Sequence, residues 1–195
     1  MEKNGVKKLA GVLKVLVTVT FVCNLLALPL VPGVVSIGLE GGLRAFAELT
    51  PYENPLELPV RVVIAFFLVC WQALPRVWRE SYGAVLTVFL WVCGTCTAVM
   101  LWQWRRVLDT ILAGEPFRRS NAGNMKRAAV CCLIIAAAAL VRLIFELIRH
   151  GSPLPLFTYN ALFIPIFTMG SLLCMVMSAL FRQAADLKEE NDLTI

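Results

Sequence analysis

Charged residues are scarce in this chain of 195 residues, because Asp, Glu, Lys and Arg together make up only 16% of it. A typical soluble domain is about 25% charged and about 45–50% apolar. Here the apolar share is 59% and the mean hydropathy is +0.76. A soluble core could not hide that much apolar surface, so the composition predicts an all-α integral membrane protein.

Residues that carry the common catalytic chemistries are also sparse. The single histidine, His150, lies beside a glycine, and a metal site needs more ligands than one histidine can supply. The sequence has no glycine-rich phosphate-binding loop, no nucleophile elbow and no H-E-x-x-H motif. We therefore expect no enzyme activity, no metal site and no cofactor.

Long apolar runs are abundant, and they approach or reach the roughly 17–25 residues that a membrane helix needs. They predict one membrane domain over residues 1–195 with four spans, at about 9–28, 82–104, 128–148 and 159–181. Pro29, Pro32 and Gly33 are expected to end the first span, since proline and glycine break helices where the backbone meets water. Lysines precede this span as in a signal peptide, but no good small-x-small cleavage site follows it, which favours an uncleaved helix.

The interval between the second and third spans is the main topology signal. Loop 105–127 carries six basic residues against two acidic ones: Arg105, Arg106, Arg118, Arg119, Lys126 and Arg127 against Asp109 and Glu115. Short loops this basic stay on the cytoplasmic side of a membrane. With four spans, both termini and the tail 182–195 share that side, and the segment 31–81 lies outside.

Residues 60–79 are ambiguous. The stretch is apolar but short, prolines bracket it, and its arginines and Gln72 gather on one side of a helical wheel. This pattern is typical of a helix that lies in the membrane interface. We predict an extracytoplasmic interfacial or re-entrant helix here, with a fifth span as the alternative.

Among the polar residues inside the predicted spans, Asn24, Arg142 and Glu146 are the candidates for an intramembrane polar site. Arg142 and Glu146 are four residues apart, hence on one helix face. Charges within a span usually face the bundle interior, where they either pair with each other or line a functional site. The preferred interpretation is a structural pair, and the alternative is an ion, proton or ligand site.

The sequence also contains seven cysteines, nearly all of them in apolar runs. Cys93 and Cys96 form a C-x-x-C motif, which in other settings marks a redox pair. No second cysteine pair occurs in an outer loop, so thiol chemistry ranks behind the other interpretations. Lipid-embedded cysteines more often act as small apolar residues.

Two further segments resemble a known family. ILAGEPFRRSNAGNMKR is similar to a G-x-P-F-x-x-x-N-x-x-x-(L/M)-(K/R) loop, and LKEENDLTI is similar to an L-x-x-E-N-D-L-T-(I/V) ending. Both are found in a family of small bacterial membrane proteins of unknown function, and the resemblance covers roughly residues 85–195. The matching positions are Gly114, Pro116, Phe117, Asn121 and Arg127 in the loop, and Glu190, Asn191, Asp192, Leu193 and Thr194 in the tail.

The resemblance implies a four-span protein of the bacterial cytoplasmic membrane with both motifs in the cytosol. Members of the family are commonly encoded beside a small helix-turn-helix protein, which implies an accessory or regulatory membrane protein with a DNA-binding partner. The longer outer segment departs from the family pattern. The acidic tail is expected to dock either on such a partner or on the arginine loop of its own chain.

The leading hypothesis is thus a regulator that presents its loop and tail to a cytoplasmic partner, without direct nucleic-acid binding. A small transporter or ligand sensor built on Arg142 and Glu146 is the alternative, and a membrane thiol oxidoreductase using Cys93 and Cys96 comes third. The lipid bilayer is the one other partner that the sequence implies, and the sequence does not indicate an oligomeric state.

Overall fold

A computed structural model of the protein describes residues 2–39, 64, 66–68, 70, 71, 75 and 77–193. These residues contain helices and turns but no strand. The helices are α1 (Glu2–Ala27), α2 (Val31–Leu39), α3 (Ser81–Leu112), α4 (Arg119–His150) and α5 (Tyr159–Leu193), with short 3-10 turns at Leu28–Leu30 and Leu154–Phe157.

Four stretches are long and apolar enough to cross a membrane: Lys7–Ser36, Ser81–Leu112, Arg119–His150 and Tyr159–Asn191. The expected all-helical architecture with four membrane-spanning helices is confirmed at this level. Only half of residues 60–79 are described, and the interfacial or re-entrant helix predicted there stays a prediction.

The first apolar helix does not end at residue 28, as Pro29, Pro32 and Gly33 had suggested. It passes through the 3-10 turn and continues as α2. Pro32 has no N–H to donate to the Leu28 carbonyl, which an α-helix would require. The Val31 N–H donates to this carbonyl instead, and the Trp91 indole Nε1 also donates to it at 3.0 Å. The prolines therefore redirect the hydrogen bonds without stopping the helix.

The chain divides into two compact units, one formed by Met1–Leu25 with Val92–Ile195 and the other by Leu26–Trp91. In the second unit, Val35 and Val77 are buried against Val31, Leu86 and Leu90. Here Gly33 is required for packing: a Cβ at this position would overlap Cys70 Sγ and lie 2.9 Å from Cys70 Cα.

In the first unit, α4 and α5 form an antiparallel hairpin. α4 ends at Gly151, whose left-handed backbone (φ 59°) terminates the helix, as glycine commonly does. Ala128, Ala129 and Ala139 on α4 have no exposed surface. Small residues of this kind let membrane helices approach closely, where van der Waals packing replaces the hydrophobic effect.

The first unit also brings four helix ends together. Lys14 Nζ on α1 contacts Asp109 Oδ1 on α3 at 2.7 Å, and Ser178 on α5 donates to the Ala122 carbonyl of α4 at 2.7 Å. The first half of α1, the end of α3, the start of α4 and the C-terminal half of α5 thus share one end of this unit. We call it the loop end, because residues 113–118 connect α3 to α4 there.

Candidate interaction surface at the loop end

The connection from α3 to α4 is a closed, hydrogen-bonded turn. The backbone N–H groups of Ala113, Gly114 and Glu115 donate to carbonyls of the last turn of α3, at 3.0–3.1 Å. Gly114 has φ 86°, a left-handed conformation that costs glycine little and other residues much more. The glycine of the loop motif is therefore explained by the helix terminus that it forms.

Asn121 holds this loop from the inside. Its side chain has no exposed surface. Its Nδ2 donates to Thr110 Oγ1 at 2.6 Å and to the Pro116 carbonyl at 2.9 Å. One side chain on the first turn of α4 thus joins the last turn of α3 to the middle of the loop. The geometry shows why the motif places an asparagine five residues after its proline.

Other members of the loop face outward. Phe117 is 52% exposed, and Glu115, Arg118 and Arg119 are exposed as well. The loop thus combines a backbone fixed by hydrogen bonds with a projecting aromatic ring and two arginines. Lys126, at the last position of the motif, and the adjacent Arg127 are exposed residues of α4.

The tail is a helix and not a separate segment, because α5 continues to Leu193. Arg119 at the start of α4 lies 4.0 Å from Asp186 and 3.9 Å from Glu189. The acidic tail therefore contacts the arginine loop of its own chain, one of the two dockings expected from the sequence. Both pairs are long and largely exposed, so each contributes little to stability.

The tail motif is described only in part. Glu190 and Asn191 are exposed residues of α5, and the helix includes Asp192 and Leu193. Thr194 lies outside the described residues. The roles predicted for these five positions are not tested by the structure.

Aromatic and basic side chains meet near the membrane boundary of α3. The guanidinium groups of Arg105 and Arg106 lie 5.8 and 5.7 Å from the centre of the Trp102 ring, within cation–π range. Phe21 of α1 packs on the same ring at 5.7 Å. Tryptophan and arginine together are typical of the headgroup region, and the loop end follows these residues along the chain.

The polar residues within the spans are arranged as follows. Arg142 Nε and Glu146 Oε1 lie 2.9 Å apart, with side chains 17% and 9% exposed, so the pair predicted from the spacing exists. Asn24 lies on α1, and its Oδ1 is buried without a hydrogen-bond partner among the described residues. The sequence analysis did not identify Asn160 of α5. Its side-chain oxygen and nitrogen are both buried and have no hydrogen-bond partner among the described residues. A single asparagine at the start of an apolar run does not reveal from the sequence that it is buried.

The C-x-x-C motif does not stand alone. Cys96 is buried with Cys131 and Ile135, and Cys93 packs against this cluster. All seven cysteines are free thiols. Within the described parts of the chain, no three His, Cys, Asp or Glu residues are grouped as a metal site.

Residues 41–195 match the model of a family described as "Protein of unknown function (DUF2975)". No curated protein and no solved structure matches the chain. The match covers most of the chain, including residues 41–81, which lie before the two motifs. It confirms the expected membership of an unknown-function family and assigns no role to a single residue.

Proposed function

This chain belongs to the DUF2975 family of unknown function, and we propose that it is an accessory membrane protein that presents the loop end to a cytosolic protein partner. The observation that supports this most directly is the contrast between Asn121 and Phe117. The asparagine is fully buried and fixes the loop, whereas the phenylalanine is 52% exposed on it.

The position of Phe117 favours a protein contact over a lipid contact. α3 continues from Trp104 to Leu112 before the loop begins, which is roughly 12 Å along a helix at about 1.5 Å per residue. The ring is thus displaced from the tryptophan and arginine belt that marks the headgroups. Exposed aromatic and arginine side chains in a fixed backbone are typical of protein interfaces.

The chemistry of the partner follows from the resemblance and the charges together. The family resemblance implies a small helix-turn-helix regulator. Such proteins carry basic surfaces for phosphates, and the exposed Glu189 and Glu190 on the last turns of α5 suit them. Phe117 would supply the apolar anchor, and the neighbouring acidic turns would supply the matching charge.

A photo-crosslinking phenylalanine analogue at position 117 tests this proposal in intact cells. Phe157 provides a matched control, because it is 88% exposed in the turn at the opposite end of the α4–α5 hairpin. We expect a crosslink from position 117 to a soluble helix-turn-helix protein, identified by mass spectrometry, and none from position 157.

The corresponding alanine variants test the same contact by co-purification. Phe117→Ala should reduce recovery of the partner about tenfold, the equivalent of about 1.4 kcal/mol, while Phe157→Ala should leave it unchanged. Recovery that is unaffected by Phe117→Ala would argue against the loop as the binding site.

A second candidate function, a ligand sensor or small transporter, is supported by one observation. The side-chain amide of Asn160 on α5, which has no hydrogen-bond partner among the described residues, and the Arg142–Glu146 pair on α4 are polar groups buried in neighbouring spans. Under this proposal, Glu146→Gln should alter ligand-dependent thermal stability. A variant that responds to candidate ligands like the unmodified chain would count against it.

A further inference from the structure

Two arginines of α3 converge on one tryptophan ring. The guanidinium carbons of Arg105 and Arg106 lie 5.8 and 5.7 Å from the centre of the Trp102 ring, because residues three and four positions apart on a helix share one face. Phe21 of α1 packs on the same ring at 5.7 Å, with the two ring planes 41° apart. The ring thus contacts α1 and holds both positive charges near each other.

The charge of these two arginines is not neutralised by a carboxylate in the described parts of the chain. Asp109 is the only acidic residue within one helical turn of them, and its Oδ1 contacts Lys14 Nζ of α1 at 2.7 Å. The ion pairs among the described residues do not include Arg105 or Arg106. A cation–π contact leaves the N–H groups of a guanidinium available as hydrogen-bond donors. Two charged groups with available donors therefore lie close together on α3.

These residues lie where α3 leaves the hydrocarbon. Residues 85–104 form a run of 20 residues without a charged side chain. As a helix this run extends roughly 30 Å, which matches the thickness of a bilayer core. Val99, Trp102 and Arg106 are exposed, and their spacing of three and four residues places them on one face of α3. Lipid therefore has access to this face from the apolar run up to the guanidiniums.

We propose that Arg105, Arg106 and Trp102 form a binding site for one anionic phospholipid in the leaflet next to the loop end. The two guanidiniums donate hydrogen bonds to the oxygens of the lipid phosphate, which their planar, forked donor groups match. The indole packs against the glycerol backbone, and an acyl chain follows the exposed face at Val99. Two adjacent positive charges repel the ammonium of phosphatidylethanolamine, so the site selects a lipid of net negative charge such as phosphatidylglycerol.

A specific site of this kind differs from the general attraction between basic loops and membranes. Lys126 and Arg127 are two adjacent exposed cations directly before the apolar run of α4. Neither of them contacts an aromatic ring among the described residues. They carry the same charge as the arginine pair of α3 and also border an apolar run. This pair therefore provides a matched control for the effect of charge alone.

Native mass spectrometry of the full-length chain in an uncharged detergent measures the affinity for each added lipid, one bound molecule at a time. We expect the first phosphatidylglycerol to bind more tightly than the first phosphatidylethanolamine. Arg105→Gln combined with Arg106→Gln should weaken phosphatidylglycerol binding by about thirtyfold, the equivalent of about 2 kcal/mol. Lys126→Gln combined with Arg127→Gln removes the same charge and should leave this affinity unchanged.

Two further variants separate the forked donors and the ring from the charge. Arg105→Lys combined with Arg106→Lys keeps both charges but removes the forked donors, so it should lose part of the affinity for phosphatidylglycerol. Trp102→Leu keeps both arginines but removes the ring, and it should also weaken binding. Thermal unfolding without added lipid checks that each variant is folded. If the glutamine variant does not fold, the lysine variant, which keeps the charge, carries the test.

Three results would overturn the proposal. The first is equal affinity of the unmodified chain for phosphatidylglycerol and phosphatidylethanolamine. The second is an equal loss of affinity in the two glutamine variants, which would mean that the lipid responds to the total charge and not to this site. The third is undiminished phosphatidylglycerol binding in the glutamine or the lysine variant of Arg105 and Arg106.

Discussion

Asn121 joins α3, the loop and α4, because its side-chain amide donates a hydrogen bond to Thr110 and another to the Pro116 carbonyl. Its Oδ1 is buried without a hydrogen-bond partner among the described residues. The hydrogen bonds that Asn121 makes to the loop therefore come from its Nδ2 group. An aspartate has nearly the same shape but no side-chain N–H group. The identity of this residue is therefore set by hydrogen-bond donation and not by size.

Asn121→Asp and Asn121→Ala should both destabilise the loop end by about 1–3 kcal/mol, because buried acceptors lose their donors. The measurement is thermal unfolding in detergent together with protease sensitivity of the bond after Arg118. Ser120→Ala, a change at the exposed neighbouring residue, is the control and should change neither the melting temperature nor the protease sensitivity. An Asn121→Asp variant as stable as the unmodified chain would show that the two hydrogen bonds contribute nothing.

The Arg142–Glu146 pair is mostly buried, and removing one member of a buried ion pair is strongly destabilising. Glu146→Ala should lower stability by about 3–5 kcal/mol, and Glu146→Gln should cost less because a hydrogen-bond acceptor remains. Thermal unfolding of the purified variants checks the order. Glu115→Ala, at an exposed loop position, should have no effect, and equal melting temperatures for all three variants would contradict a structural role for the pair.

The connection from α1 to α2 shows how a helical segment can continue through Pro29 and Pro32. The carbonyl of Leu28 keeps two donors, the Val31 N–H and the Trp91 indole, although Pro32 cannot supply one. Cys70 also donates to the Leu30 carbonyl at 3.7 Å. Proline is expected to end a helix because the carbonyls that lose their backbone donors must then bind water. Here the side chains of Trp91 and Cys70 donate to these carbonyls in place of water.

The close packing of Gly33 against Cys70 can be tested by substitution. Gly33→Ala introduces a methyl group into the volume of Cys70, and overpacking of this kind typically costs about 1–3 kcal/mol. Gly38→Ala lies on the same helix with no neighbour within 4 Å, so it should be neutral or slightly stabilising. Melting temperatures of the two variants make the comparison, and the packing explanation fails if they are equal.

Hydropathy alone was sufficient to predict the four spanning helices of the whole molecule, because lipid demands long apolar helices irrespective of their contacts. The spacing of Arg142 and Glu146 predicted their pairing for a similar reason, since it depends on one helix only. The hydrogen bonds of Asn121, the burial of Asn160 and the packing of Cys96 with Cys131 depend on how separate helices pack. Which residues of two helices face each other cannot be read from a single sequence.

The proposed function depends on one orientation, in which the loop end faces the cytosol and presents Phe117 to a partner there. The basic loop 105–127 favours this orientation, and the contacts of Lys14 with Asp109 and of Arg119 with Asp186 and Glu189 lie at this same end.

Reporter fusions after residues 115, 152 and 193 measure this orientation most directly, with one reporter that is active only in the cytosol and one that is active only outside it. We predict cytosolic signals at 115 and 193 and an external signal at 152. Signals at 115 and 193 from opposite sides of the membrane, or from the outer side at both, would contradict the account.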